Sequence, residues 1–193
     1  HEHFSYLSLQ VVTRMFKQAG LRVWDVESLS THGGSLRIYG CHANDPRNTT
    51  TAVKEILMEE QSHGLQEIAT YRALQANADQ IKNDLLHYLI KQKRAGKTVA
   101  AYGAAAKGNT LLNYAGVKPD LLPYVCDAAS SKQGKYMPGS HIPILKPAIL
   151  RERRPDIVLI LSWNIAEEVI AQNACVREWG GKFAVAVPKI SII

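Results

Sequence analysis

The sequence predicts an α/β fold, a Rossmann-like parallel sheet with flanking helices, preceded by a long helix and an N-terminal helix plus antiparallel hairpin. Two observations carry the sheet. Four short stretches, "TVAAYG" (98–103), "LPYVCD" (122–127), "DIVLIL" (156–161) and "FAVAVP" (183–188), are apolar without alternation, and helix-forming segments separate them. Continuous apolar strands are buried on both faces, which a parallel sheet covered by helices requires. The third observation is a glycine turn, "YGAAAKGNT" (102–110), between the first of these strands and its helix.

The elements follow in order. Residues 5–19 place Leu7, Leu9, Val11, Val12, Met15 and Phe16 before Gly20, a helix with a glycine stop. "LRVWDVESLS" (21–30) and "SLRIYGCHA" (35–43) read as strands joined by the turn Thr31, His32, Gly33, Gly34. Polar "DPRNTTT" (45–51) breaks the pattern and links two units. From 52 to 95, Val53, Ile56, Leu57, Leu65, Ile68, Tyr71, Leu74, Ile81, Leu85 and Leu89 recur at helical spacing. One long helix is expected there, kinked at Gly64. Its apolar stripe suits packing on its own domain, or a homodimer seam. Helices follow from Lys107, at Pro147, a residue suited to a first helical position, and from Ile165, where Asn164 and Glu167 have capping-box spacing. The expected division is 1–44, 45–96 and 97–193.

Composition narrows the function classes. Of 193 residues 46% are hydrophobic, enough for a core. No apolar run approaches the ~20 residues of a membrane span, and the start lacks a secretory pattern, so a cytoplasmic protein without membrane partners is expected. Cys41, Cys126 and Cys175 are odd in number and widely spaced, as reduced thiols rather than a disulfide framework or metal site. The net charge of +6 favours anionic partners. Its basic residues are scattered, with one cluster at Arg151, Arg153 and Arg154, so nucleic acid is not selected.

The glycine turn sits where backbone N–H groups and a helix dipole can hold a phosphate. As a P-loop it has Gly103 and Gly108 correctly spaced, but Asn109 occupies the lysine position and the lysine stands at 107. As a dinucleotide fingerprint it reads Gly103, Ala105, Gly108, with Asp127 at the end of the next strand. Ala105 replaces the glycine that admits a pyrophosphate. A nucleotide ligand and a tight turn that binds nothing both remain open. Loops beyond the carboxyl ends of parallel strands form the ligand crevice. "SSKQGKYMPGSHIPI" (130–144) brings Lys132, Lys135 and His141 there, and "LSWN" (161–164) brings Ser162, Trp163 and Asn164. A solvated surface loop is the plain reading of each lysine.

Five stretches in order, "HEHFSYLSL" (1–9), "THGGSLRIY" (31–39), "YGAAAKGNTLLNY" (102–114), "KQGKYMPGSHIPI" (132–144) and "LSWNIAEEV" (161–169), resemble the carboxyl-terminal part of S-adenosylmethionine-dependent sugar C-methyltransferases. The resemblance implies a three-part enzyme. A zinc-binding domain and a central domain holding S-adenosylmethionine are expected outside these residues, and the third, Rossmann-like domain helps hold the nucleotide-sugar. The implied substrate is a deoxythymidine diphosphate 4-keto-deoxysugar, methylated beside the ketone. Residues 1–44 look like the last helix and hairpin of the central domain. Glu2 and His3 match the family's Glu-His pair, His3 as the base and Glu2 orienting it or binding the sugar. Gly103, Ala105, Lys107, Gly108, Asn109, Thr110, Asp127 and the loop residues named above are the expected substrate contacts, with no metal and no cofactor held by this chain, which is expected to be inactive alone. An NAD-type dinucleotide module and a structural or dimerisation domain are the competing readings.

Overall fold

The computed structural model describes residues 5–31 and 34–193. They divide into two compact units, residues 1–74 and 75–193.

In the first unit, helix α1 (Leu9–Gln18) leads into antiparallel strands β1 (Leu21–Leu29) and β2 (Ser35–His42), as the sequence predicts. Ser8 caps α1, its Oγ accepting the Val11 N–H at 3.3 Å. The expected single helix over 52–95 is instead two, α2 (Thr51–Ser62) and α3 (Ile68–Arg94). Gly64 takes φ +68°, the Gly64 N–H reaches the Gln61 carbonyl at 2.9 Å, and the Leu65 N–H folds back to the Glu60 carbonyl at 3.1 Å. This left-handed closure ends α2. The Thr70 hydroxyl then donates to the Gly64 carbonyl at 2.7 Å and fixes the break. Apolar spacing runs on across both helices, so periodicity alone does not reveal the stop.

α2 belongs to the first unit's core, where Val53 is buried with Leu9, Val23 and Val26. It also supplies a cap in trans. The Glu60 carboxylate, only 8% exposed, accepts the Leu9 N–H at 2.5 Å and the Gln10 N–H at 2.9 Å. A buried anion on the positive end of α1 satisfies donors the helix itself leaves unpaired.

The second unit is a six-stranded sheet. Its strands are β3 (Val99–Tyr102), β4 (Val125–Cys126), β5 (Ile144–Leu145), β6 (Ile157–Ile160), β7 (Lys182–Val185) and β8 (Ser191–Ile192). They lie in the order β5-β4-β3-β6-β7-β8, parallel except for β8, which pairs antiparallel with β7. The four predicted strands are β3, β4, β6 and β7. β5 is a correction: it closes the stretch read as an open loop, because Ile144 exchanges backbone bonds with Gly134 at 2.9 Å and Lys135 at 2.8 Å while pairing with Val125.

Helices α4 (Ala106–Tyr114), α5 (Ala148–Arg153) and α6 (Ala166–Gln172) flank the sheet, with the part of α3 beyond residue 74 and a 3₁₀ helix at Ala174–Trp179. Alternate residues of β3 serve opposite faces. Val99 and Ala101 join Leu85, Leu89 and Leu112, whereas Ala100 and Tyr102 join Leu150, Val158 and Phe183. Pro147 has helical angles, φ −56° and ψ −30°, just before α5, as its place in the sequence suggests. The capping box at Asn164 and Glu167 does not form. The Ile165 N–H bonds the Ser162 carbonyl at 3.0 Å, which winds 163–165 into a 3₁₀ turn, and α6 starts after it without a side-chain cap. Among the described residues no helix is long and apolar enough to cross a membrane.

Two predictions follow from these contacts. Glu60→Ala removes both trans-capping bonds, and urea unfolding should show the first unit weakened by about 2–3 kcal/mol, the range of charged hydrogen bonds lost from a buried site. The second concerns Asp156, whose carboxylate accepts the Thr98 N–H at 2.8 Å and hydroxyl at 2.9 Å, joining the entries of β3 and β6. The Thr98 backbone bond, then its hydroxyl, hold this carboxyl below its ordinary range. A folded value below the unfolded one means the stabilisation is present above about pH 4 and fades as pH falls through the folded value. Asp156→Asn should therefore lower the urea midpoint at pH 7 and flatten its acid decline; an unchanged decline would disprove the assignment.

Candidate functional site

The site grows from the turn after β3. Gly103 has φ +94°, and a Cβ there would stand 2.7 Å from the Ser162 hydroxyl, so the turn after β3 packs closely on the residue that follows β6. The chain leaves β3 toward β4 on one side, while β6 leads to β7 on the other. Such a switch point opens a crevice at the carboxyl ends of the strands. Gly108, on the inner face of α4, lets that helix sit against β6, for a Cβ there would meet the Leu161 Cβ at 2.5 Å.

The turn's own amides are consumed locally. Ala105 N–H bonds the Gly103 carbonyl at 2.8 Å, and Ala104 N–H bonds Asp127 Oδ2 at 2.7 Å. Asp127 is 7% exposed and fully engaged. Its Oδ1 accepts the Ala129 N–H at 2.8 Å, and Oδ2 also accepts from Lys132 Nζ at 3.2 Å. The same ammonium donates to the Ala104 carbonyl at 3.0 Å. Asp127 and Lys132 thus clasp the turn after β3 to the loop after β4. α4 then opens on Ala105 with no side-chain cap.

Beside this clasp lies a cavity of about 380 Å³. Ala104, Ala105 and Ala106 line it together with Asn109, Lys132 and Lys135, and Ser131, Tyr136, Met137, Pro138 and Ile144 complete the lining. Asn109 Oδ1 is buried and has no hydrogen-bond partner. The 131–140 loop is pinned to α4 and to the turn beyond it: Asn113 Nδ2 donates to the Pro138 carbonyl at 2.8 Å and Lys118 Nζ to the Gly139 carbonyl at 2.7 Å. Gly139, at φ +78°, is required there because any Cβ would run into the Asn113 amide.

A second cavity, about 460 Å³, is lined by Trp163, Asn164, Glu167, Glu168, Val185 and Ile193 among others. Two carboxylates and no cation make it a poor seat for phosphate.

The predicted substrate residues therefore fall into groups. Ala105, Asn109, Lys132 and Lys135 share the first cavity, Trp163 and Asn164 share the second, and Gly103 with Ser162 forms the contact at the switch point. Lys107 is exposed, Thr110 bonds the Ala106 carbonyl of its own helix at 3.1 Å, and His141 is exposed with φ +59°; none of the three lines either cavity. Glu2 and His3 lie outside the described residues. Sequence reasoning did not single out Ala104, Ser131, Tyr136, Met137 and Pro138. Ala104 acts through its backbone, which leaves no side-chain signal, whereas Tyr136, 64% exposed between Lys135 and Met137, was an available one.

Two further groups are inert. Burial pushes the Tyr124 phenol and the Cys126 thiol up to about 12, so neither is a nucleophile near neutral pH. Among the described residues no three His, Cys, Asp or Glu side chains gather as a metal site. What the first cavity can do is hold an apolar ring beside anionic groups: small apolar surfaces, two ammonium groups and the uncapped start of a nine-residue helix.

Comparison with known proteins bears on this arrangement. Residues 30–188 match the family described as C-methyltransferase C-terminal domain. Over 193 residues, 100% of this chain, the sequence is 38% identical to the C-methyltransferase NovU of Streptomyces niveus. The chain spans 46% of that relative's length.

Asp127→Ala would strip the clasp of its acceptor and leave the Ala104 and Ala129 amides unpaired. Denaturant unfolding of the second unit should show a loss of about 2–4 kcal/mol, and Lys132→Ala a smaller one because its ammonium is partly solvated.

Proposed function

The chain belongs to the C-methyltransferase C-terminal domain family, and from that premise we propose that it holds the nucleotide-sugar substrate of an S-adenosylmethionine-dependent sugar C-methyltransferase. The observation that carries the reading is the first cavity, where Lys132 and Lys135 stand beside the start of α4 at the carboxyl ends of β3 and β4. A diphosphate would meet Lys135 and the solvent-facing side of the Asp127-paired Lys132, and a nucleoside would fill the apolar remainder. The substrate we propose is a deoxythymidine diphosphate 4-keto-deoxysugar.

The chemistry of the whole protein follows from the ketone. A C–H beside a carbonyl is acidic enough for a positioned imidazole, and His3 takes that proton while the electron pair moves onto the carbonyl as an enolate. Glu2 orients the imidazole or binds the sugar. S-adenosylmethionine, when bound, supplies an electrophilic methyl group whose C–S bond breaks as the new C–C bond forms. The amides of the turn at 103–105 are engaged locally, the Gly103 N–H with the Cys126 carbonyl, the Ala105 N–H with the Gly103 carbonyl and the Ala104 N–H with Asp127. We place the methyl donor, and the zinc implied by the resemblance, in other segments of the polypeptide, so that the 193 residues alone bind substrate without methylating it. The binding role is to hold the sugar at a fixed distance from base and donor, where proximity lowers the barrier.

Calorimetry of the chain with thymidine diphosphate and with NADH tests the proposal. Thymidine diphosphate should bind, Lys135→Ala should weaken it about tenfold, and added salt should weaken it further. NADH binding without any response to thymidine diphosphate would overturn it. In an enzyme carrying all its domains, His3→Ala should abolish turnover while leaving nucleotide affinity within about twofold.

A further inference from the structure

Tyr136 is the one aromatic ring among the described residues that line the first cavity, and it is 64% exposed. A lone exposed tyrosine is ordinary on a protein surface. What sets this one apart is the backbone beneath it. The Gly134 N–H donates to the Ile144 carbonyl at 2.9 Å, the Ile144 N–H to the Lys135 carbonyl at 2.8 Å and the Met137 N–H to the Ile142 carbonyl at 2.8 Å, with Tyr136 bridged antiparallel to Pro143 among them. The exposure therefore belongs to an anchored strand edge and not to a loose loop tip. Met137, the next residue, is buried with Leu112, Leu122 and Ile142. The core takes Met137 and leaves Tyr136 outside.

The remaining wall is poorly equipped to hold a ring by its edge. Lys132 is committed to Asp127 and the Ala104 carbonyl, and the unpartnered Asn109 oxygen is sealed from the surface. The side chains of Ala104, Ala105, Ala106, Pro138 and Ile144 are apolar. A tyrosine with two side-chain torsions on a fixed backbone loses little entropy when a planar group lies on it, and every base has a π-face whatever its edge. We infer that Tyr136 is a stacking platform for the base of the bound nucleotide, while Lys135, which enters no ion pair among the described residues, meets the diphosphate. This rests on the nucleotide-sugar reading and adds to it a contact residue that grips the ring by its face. Such a contact is indifferent to which base is bound.

Proton NMR of thymidine diphosphate titrated with the chain tests the contact directly. A base lying on a tyrosine face feels its ring current, so the thymine H6 and methyl signals should move upfield on binding to the wild type and to Tyr136→Phe, and lose that shift with Tyr136→Ala. Calorimetry gives the second readout. Tyr136→Ala should weaken thymidine diphosphate and cytidine diphosphate by the same factor, about tenfold, with the salt dependence of binding kept, whereas Tyr136→Phe should stay within about twofold of the wild type. An absent upfield shift in the wild type, or unchanged affinity for thymidine diphosphate in Tyr136→Ala, would overturn the stacking assignment and leave the nucleotide reading in place. So would a response confined to thymidine diphosphate, which marks recognition by the edge, or a reduced salt dependence in Tyr136→Ala, which marks a disturbed Lys135. No binding of either nucleotide to the wild-type chain would remove both.

Discussion

The second unit's site depends on one carboxylate. Asp127 stands at the end of β4, nearly buried, and spends both oxygens on its own chain: Ala129 N–H on one, Ala104 N–H and the Lys132 ammonium on the other. A carboxylate this enclosed is tolerated only when its lone pairs are met. Meeting them holds the turn after β3 against the loop after β4. Lys132 is held in the bargain, because its ammonium bridges Asp127 and the Ala104 carbonyl. The shape of the first cavity follows, since Ala104, Ala105 and Lys132 all line it.

The same commitment separates the functional readings. In a dinucleotide-binding fold the acid after the second strand is kept for ribose hydroxyls, and the glycine turn leaves its amides for pyrophosphate. Here the acid is spent on backbone amides, the Ala104 and Ala105 N–H groups are occupied, and Ala105 adds a methyl where the pyrophosphate would approach. The glycines that remain serve packing. Gly103 admits Ser162, and Gly108 admits Leu161. Spacing alone suggested a dinucleotide turn, but hydrogen bonding gives it a different employment.

Much of the architecture was legible because it rests on burial. β3, β4, β6 and β7 are continuous apolar runs, and only a sheet covered on both faces accommodates them. What escaped were features made by backbone geometry or tertiary contact. β5 is two residues following Pro143, and it exists because Gly134 and Lys135 bond it from behind. The stop at Gly64 is a left-handed closure inside an unbroken apolar stripe, and the trans cap by Glu60 joins residues fifty apart. At the site, the lysines and Asn109 were visible as residue types at strand ends. Their separation from Trp163 and Asn164 was not, because a single mouth and two neighbouring cavities give the same order of residues along the chain.

That separation has a physical consequence for ligand orientation. Both cavities open at the carboxyl ends of parallel strands, yet their charges are opposed: Lys135 and the Asp127-paired Lys132 line the first, Glu167 and Glu168 with no cation the second. A net charge of +6 spread over the molecule would attract an anion without placing it. The local sorting of charge distinguishes the two cavities. The diphosphate of the proposed substrate would be drawn to the side of β4 and α4 and repelled from the side of β7 and α6. In that reading the nucleoside, tied to the diphosphate by covalent bonds, has the alanine surface of the same cavity to lie against. In the proposed reading, the orientation of the ligand is thereby set by charge.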